Sequence, residues 1–262
     1  MGVEGARTFA AGAEAYDRFM GRYSLPLSAG FCDFAGVAAP ARALDVGCGS
    51  GALTGELVGR LGATSVRACD PSPSFVASCR ERFAGVEVQA GSAEQLPFED
   101  RVFDVVVSQL VLHFVSDPVA AGAEFARVLR SGGVAAASVW DAADGMELLR
   151  AFWDAASGID PDAPDELRSL RFGRPGELSL WLSAAGFENV TETALTVHAS
   201  YADFDELWST LLGGVGPVGA YCATLSRPRR EALRVALRER LGSPQAPFSL
   251  GAVARAVRGV RP

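Results

Sequence analysis

The sequence predicts an α/β fold with a parallel sheet covered on both faces. Three observations carry that expectation. Short apolar runs rich in β-branched residues alternate with stretches of helical spacing from residue 42 onward. The first run stops at three closely spaced glycines, Gly47, Gly49 and Gly51. The second run ends at an aspartate, Asp70. Apolar strands separated by helices are the pattern of βαβ crossovers.

Each element follows from its local pattern. Residues 8–38 read as a helical segment ahead of the sheet. Residues 43–46 are a short apolar run that reads as a buried strand, and 52–61 have helical spacing. Residues 65–69 form a second strand, 74–83 a helix and 86–90 a third strand. The plainest strand is 103–108, FDVVVS. A helix over 119–129 is closed by Arg130 and Gly132–Gly133, and 134–139 follow as a fifth strand. Beyond Trp140 the rhythm changes. Helical patterns cover 146–157, 175–185, 203–212 and 227–241. The prolines of 160–165 mark a linker or insertion, and GGVGPVG marks a break between the last two helices. Residues 190–198 alternate as a strand, and 248–260 read as one last strand.

Composition narrows the function. The 262 residues correspond to about one or two domains. With 49% hydrophobic and 21% charged residues, the chain has the balance of a folded globular protein. The formal charge of -7 argues against a duplex nucleic acid or an anionic membrane as partner. All 24 basic residues are arginines, which excludes Schiff-base catalysis, pyridoxal anchoring and a Walker lysine. The five cysteines, Cys32, Cys48, Cys69, Cys79 and Cys222, contain no C-x-x-C pair. With only His113 and His198 beside them, no metal site is expected. The chain reads as cytoplasmic, with reduced thiols and no membrane span.

The most informative stretch is LDVGCGSG, residues 44–51, where a strand runs through a glycine turn into a helix. Glycines there leave no Cβ in the path of a ligand, and the helix start supplies free N–H groups. The spacing is G-x-G-x-G, not G-x-G-x-x-G. Asp70 lies nineteen residues after Gly51, where an acid can accept both hydroxyls of a ribose. That placement also serves a nicotinamide dinucleotide, so Asp70 alone leaves the cofactor open. Asp45 favours one side, because a carboxylate before the glycines would repel a pyrophosphate and attract an ammonium. Cys48 reads as a small packed residue rather than a reactive thiol.

Further motifs follow in order: VRACDPS at 66–72, QAGSAEQLPFED at 89–100, FDVVVSQLVLHFV at 103–115 and FARVLRSGGVAAASVW at 125–140. With LDVGCGSG they resemble the class I S-adenosylmethionine-dependent methyltransferases. The resemblance is strongest to the small-molecule branch (type 11) that includes ubiquinone- and menaquinone-biosynthesis enzymes. It covers residues 40–140 well and the remainder loosely. It implies a Rossmann-like, doubly wound, seven-stranded and mostly parallel sheet with the last strand antiparallel. It also implies a helical lid over 1–38, and a methyltransferase domain over 39–262 with helical substrate-cap insertions within 141–241.

The same resemblance assigns roles. Gly47, Cys48, Gly49 and Gly51 would pass along the methionine moiety of S-adenosyl-L-methionine, and Asp45 would hold its ammonium. Asp70 would bind the ribose hydroxyls, with Pro71 and Ser72 beside the adenosine. Ser92, Ala93 and Glu94 would bracket adenine, although relatives usually carry aspartate where this chain has Ser92. The Ser108–Gln109 backbone would approach the ammonium. Tyr16, Arg22 and Tyr23, from the lid-like YDRFMGRYS, would meet the carboxylate and methionine end; alternatively, Tyr16, Phe19 and Tyr23 share one helical face and simply pack.

In-line methyl transfer gains chiefly from positioning, and a base helps only when the acceptor must lose a proton. His113, after the fourth strand, is the one candidate base; its other reading is a hydrogen bond that orients a loop. His198 reads as ordinary filling. No [DN]-P-P-[YF] motif follows the fourth strand, which argues against exocyclic amines of DNA. The expected partner is a small-molecule methyl acceptor, with S-adenosyl-L-homocysteine as coproduct and a monomer or homodimer as the unit. Trp140, Trp153, Trp181 and Trp208 read as core before ligand wall, and Arg168, Arg171 and Arg174 as a solvated face. Two other readings stand beside this one: a non-catalytic S-adenosylmethionine-binding module, and a nicotinamide-dependent oxidoreductase.

Overall fold

The computed structural model describes residues 13–141 and 145–262. The segment expected as a lid therefore enters only from residue 13, and residues 1–12 lie outside the described part. Its helices are α1 (Ala13–Phe19) and α2 (Gly21–Ala35). Along α2, Tyr23, Leu27, Phe31 and Ala35 recur every fourth residue and are buried against the sheet and its flanking helices.

The sheet has seven strands: β1 (Ala43–Val46), β2 (Val66–Asp70), β3 (Glu87–Ala90), β4 (Phe103–Gln109), β5 (Leu129–Trp140), β6 (Glu188–Tyr201) and β7 (Phe248–Val260). Their order is β3-β2-β1-β4-β5-β7-β6. The first five pair in parallel, and β7 runs antiparallel to both β5 and β6. This is the expected doubly wound, mostly parallel architecture with an antiparallel last strand. Helices α3 (Ala52–Leu61), α4 (Pro73–Arg82) and α5 (Pro118–Val128) are the crossovers. All four residues of β1 are buried, as a strand covered on both faces must be. The strand order reverses between β1 and β4, which opens a crevice beyond their carboxyl ends.

After β5 come α6 (Glu147–Ile159), α7 (Glu177–Ala184), α8 (Phe204–Leu211), α9 (Gly216–Thr224) and α10 (Arg227–Arg240). Three elements depart from the sequence reading. Strand β5 starts at Leu129 rather than 134, because Leu129 already pairs with Phe103 and the ladder shifts register before Val105–Val134. Strand β6 extends over 188–201 because β7 pairs with nearly its whole length. The glycine-rich break holds a helix, α9. Pro217 lies in its first turn, where no N–H is needed, and Val218, Tyr221 and Cys222 are buried. Tyr221 packs against Trp153 with ring centroids 5.6 Å apart, so burial overrides the weak local propensity of GGVGPVG.

Candidate cofactor site

A cavity of about 500 Å³ lies in the crevice beyond the carboxyl ends of β1, β2 and β4. The β1 end reaches it through the glycine turn. Gly47 adopts φ +74, and a Cβ there would sit 2.5 Å from Val111 Cγ2, so any side chain would collide with the wall after β4. Gly51 does a different job from the one expected. A Cβ on Gly51 would meet Phe83 Cε2 at 2.4 Å, which makes it a packing position under the turn and not part of the cavity wall.

The β2 end supplies Asp70. Its Oδ2 accepts the Gly49 N–H at 2.9 Å and its Oδ1 accepts the Ser72 N–H at 2.8 Å. The side chain thus ties two strand-end loops together and faces the cavity with lone pairs to spare. Burial raises its pKa from the usual carboxylate value, opposed by these two N–H groups. Pro71 and Ser72 line the cavity beside it. Opposite stand Ser92, Ala93 and Glu94. The Glu94 Oε1 accepts the Ser116 N–H at 2.9 Å, which fastens that wall to the loop after β4. Tyr16 closes a further side, its ring edge-on to Phe75 at 5.8 Å.

A smaller recess of about 30 Å³ continues under the glycine turn, lined by Asp45, Gly47, Cys48, Gly49, Ser24 and Gln109 among others. It is rich in acceptors. Asp45 is buried, and its Oδ2 accepts the Thr54 hydroxyl at 2.6 Å. Burial drives its pKa up to about 7, and the Thr54 hydrogen bond works against that rise. The Gln109 Nε2 donates to the Ser24 carbonyl at 2.9 Å and to Ser28 Oγ at 3.1 Å. This leaves its buried Oε1, and the buried Ser24 Oγ, without a partner among the described residues. Among the described residues, no arginine or histidine lines the recess.

Two expected contacts fall elsewhere. Arg22 donates to the Ser200 carbonyl at 2.8 Å, pairs with Glu206 at 2.5 Å and stacks over the Tyr201 ring. Its guanidinium is therefore committed to the β6–α8 junction, away from the cavity. Tyr23 is fully buried with its hydroxyl 3.3 Å from that of Tyr201 and its ring edge-on to Trp140. Phe19 and Tyr23 pack in one apolar cluster with Tyr16 against it, as the packing alternative expected, although two helices meeting at Met20 carry them rather than one. Of the Ser108–Gln109 pair, Gln109 lines both the cavity and the recess, while the Ser108 hydroxyl donates to the Val46 carbonyl at 2.9 Å.

His113 lies in the wall of an adjoining chamber of about 50 Å³, which shares Tyr16, Leu110 and Phe114 with the main cavity. Its Nδ1 is 2.5 Å from the Arg171 carbonyl, so Nδ1 carries the proton and donates. Burial drives its pKa down to about 4, against the pull of the Arg171 and Trp140 carbonyls. A base that weak suits a loop-orienting hydrogen bond better than removal of a phenolic proton. The chamber also holds Glu166, which the sequence reading passed over. An acid next to a proline-marked linker looks solvated, and only the packing of that linker onto α6 shows otherwise. Leu110, at φ +65, turns the chain out of the sheet between the two spaces. No local signal in QLVLH announces that conformation. Of the four tryptophans, Trp153 and Trp208 are core, Trp140 lines the chamber, and Trp181 lines a groove shared with Arg168, Arg171 and Arg174.

Comparison with known proteins agrees with this geometry. Residues 44–137 match the family model described as methyltransferase domain. An uncharacterized methyltransferase of Mycobacterium tuberculosis is 39% identical over 126 residues, covering 48% of this chain and 49% of that protein. A malonyl-[acyl-carrier protein] O-methyltransferase of Dechloromonas aromatica is 33% identical over 182 residues, covering 70% of this chain and 63% of that one. The chain thus spans about half to just under two-thirds of these relatives' lengths. A Haemonchus contortus phosphoethanolamine N-methyltransferase 2, solved with phosphomonomethylethanolamine and S-adenosylhomocysteine, shares the fold. Its TM-score is 0.59 at 16% identity, over 95% of this chain and 57% of that one. By motif and relatives together, residues 44–137 belong to the methyltransferase domain family, and the sheet they lie in has the fold of the methyltransferase structures to which the chain is similar.

Proposed function

We propose that the protein transfers a methyl group from S-adenosyl-L-methionine to a small-molecule acceptor in the cytoplasm. The observation that carries this reading is the pairing of two unlike sites at one crevice. Asp70 presents a carboxylate braced by two backbone N–H groups, suited to a vicinal diol. A few residues away, the recess of Asp45, Gln109 Oε1 and Ser24 Oγ offers acceptors with no cation among its lining residues, suited to an ammonium. A ribose joined to an amino acid satisfies both, whereas a dinucleotide pyrophosphate would bring negative charge to Asp45.

In this reading Asp70 holds the ribose, Asp45 and Gln109 hold the ammonium, and Ala93 and Glu94 flank the adenine. The bound sulfonium supplies a methyl group that is already electrophilic. What the protein adds is alignment and exclusion of water. Tyr16, Phe114 and Leu110 form the apolar partition between the cofactor cavity and the chamber where an acceptor would stand.

Calorimetric titration with S-adenosylhomocysteine tests the reading, with NADH as the competing ligand. Saturable micromolar binding of the first is expected. Binding of NADH alone would overturn the assignment. Mass spectrometry of host extract incubated with the protein and labelled cofactor would then show a metabolite heavier by one methyl group.

A further inference from the structure

The chamber behind Tyr16 and Phe114 has an unusual chemistry. Its walls are apolar, contributed by Phe19, Met20, Trp140, Leu149 and Leu170 among others, yet it contains the Glu166 carboxylate. Glu166 Oε1 accepts the Trp153 indole N–H at 3.3 Å. Oε2 has no hydrogen-bond or ion-pair partner among the described residues. No cation pairs with the group among the described residues: Arg150 and Arg168 both pair with the neighbouring Asp165 instead. Burial accordingly raises the Glu166 pKa to about 7, with the Trp153 hydrogen bond opposing and Asp165 adding to the rise. A carboxylate held in apolar surroundings by one neutral donor is costly unless a ligand completes it.

We propose that this chamber receives the reacting end of the methyl acceptor, that Glu166 Oε2 takes its proton, and that the acceptor is an uncharged hydroxyl compound with an apolar body rather than a carboxylate. The proposal rests on the cofactor assignment above. The chamber's volume of about 50 Å³ fits a hydroxyl-bearing end, and the Tyr16, Leu110 and Phe114 walls it shares with the main cavity put that end beside the methyl group. In the transfer, the acceptor oxygen forms a bond to the methyl carbon as the carbon–sulfur bond breaks. The electron pair of that bond goes to sulfur, which becomes a neutral thioether, and the hydroxyl proton goes to Glu166. The carboxylate thereby turns into a neutral acid, the form its apolar surroundings favour. An anionic acceptor would meet an unpaired carboxylate in a low-dielectric space and be rejected.

The other titratable groups around the chamber do not compete. Burial keeps the Tyr16 phenol protonated, with its pKa pushed up to about 12. The His113 imidazole stays neutral, with its pKa pushed down to about 4. Tyr221, behind Trp153, is also raised by burial. Asp165 is held by its two arginines.

The test uses the full chain saturated with S-adenosylhomocysteine, titrated with 4-methylphenol and with 4-methylbenzoate at pH 6 and pH 8.5. The phenol should bind about 3–10-fold more tightly at the higher pH, as Glu166 becomes a charged acceptor. The benzoate should weaken by a similar factor. In Glu166→Gln, which keeps the acceptor for Trp153, both pH dependences should vanish while affinity for S-adenosylhomocysteine is retained. Benzoate binding as tight as the phenol at pH 8.5, a pH dependence that survives in Glu166→Gln, or no saturable phenol binding would each overturn the assignment of the chamber. Failure of S-adenosylhomocysteine itself to bind would remove the cofactor reading first, and the chamber assignment with it.

Discussion

Asp70 Oδ2 accepts the Gly49 N–H at 2.9 Å, so the carboxylate that ends β2 holds the glycine turn that ends β1. One side chain thus sets the spacing of two strand ends and stands at the mouth of the cavity between them. Asp70→Ala should weaken S-adenosylhomocysteine binding by about 1–3 kcal/mol, the cost of removing one partner of a buried polar contact. Calorimetry measures it, and binding within twofold of wild type would show that the ribose does not lie there.

The turn has no room for a side chain at Gly47. Gly47→Ala combines φ +74 with a Cβ 2.5 Å from Val111 Cγ2. A loss of about 1–3 kcal/mol in urea denaturation is expected. Val111→Ala in the same chain should restore part of it, because the clash is relieved while the backbone strain stays.

Under the proposed assignment of the recess, cofactor binding depends on pH through Asp45. Its folded pKa of about 7 lies above the ordinary aspartate value, so its contribution to stability is full below about pH 4 and is lost as pH rises through 7. Asp45→Asn should therefore gain stability over wild type at pH 8 relative to pH 4, on the order of 2–4 kcal/mol. The ligand ammonium selects the ionised form, so wild-type affinity for S-adenosylhomocysteine should rise about tenfold from pH 6 to pH 8. A flat profile in wild type would remove Asp45 from the ammonium site.

His113 works in the opposite direction. Its folded pKa of about 4 lies below the ordinary histidine value, so its contribution is present above pH 6.5 and is lost as pH falls toward 4. Thermal or urea unfolding should show wild type losing about 2–3 kcal/mol more than His113→Gln between pH 7.5 and pH 4.5. Equal losses would mean that the imidazole is solvated in the folded protein.

Arg22 is an internal control. Its guanidinium is engaged by Glu206 and the Ser200 carbonyl, with both side chains about a third exposed or less. Arg22→Ala should cost about 1 kcal/mol or less in stability and leave cofactor affinity within twofold. A larger loss of affinity would return Arg22 to the cofactor's carboxylate end.

Much of this was legible before any fold was in view, and for a local reason. The alternation of apolar runs and helices, LDVGCGSG and the aspartate closing VRACD are each properties of a few consecutive residues. Gly47 and the carboxylates of Asp45 and Asp70 stand at or beside strand ends, so they are written into the chain itself. The same local logic failed at GGVGPVG, where burial of Val218, Tyr221 and Cys222 forms a helix that propensity disfavours.

Other features depend on contacts between residues far apart in the chain. Nothing near Arg22 announces Glu206 or Ser200, yet those partners hold it away from the cavity. Nothing near Glu166 announces a chamber; the residue becomes an unpaired acid only because α6 and α9 fold over its linker and Asp165 captures both nearby arginines. The sequence alone therefore determined the sheet and the glycine turn and carboxylates at its crevice, since short-range pattern dictates both. The tertiary structure decided which polar side chains are spent on one another and which remain free for a ligand, because that allocation depends on long-range packing and the loss of water around each group.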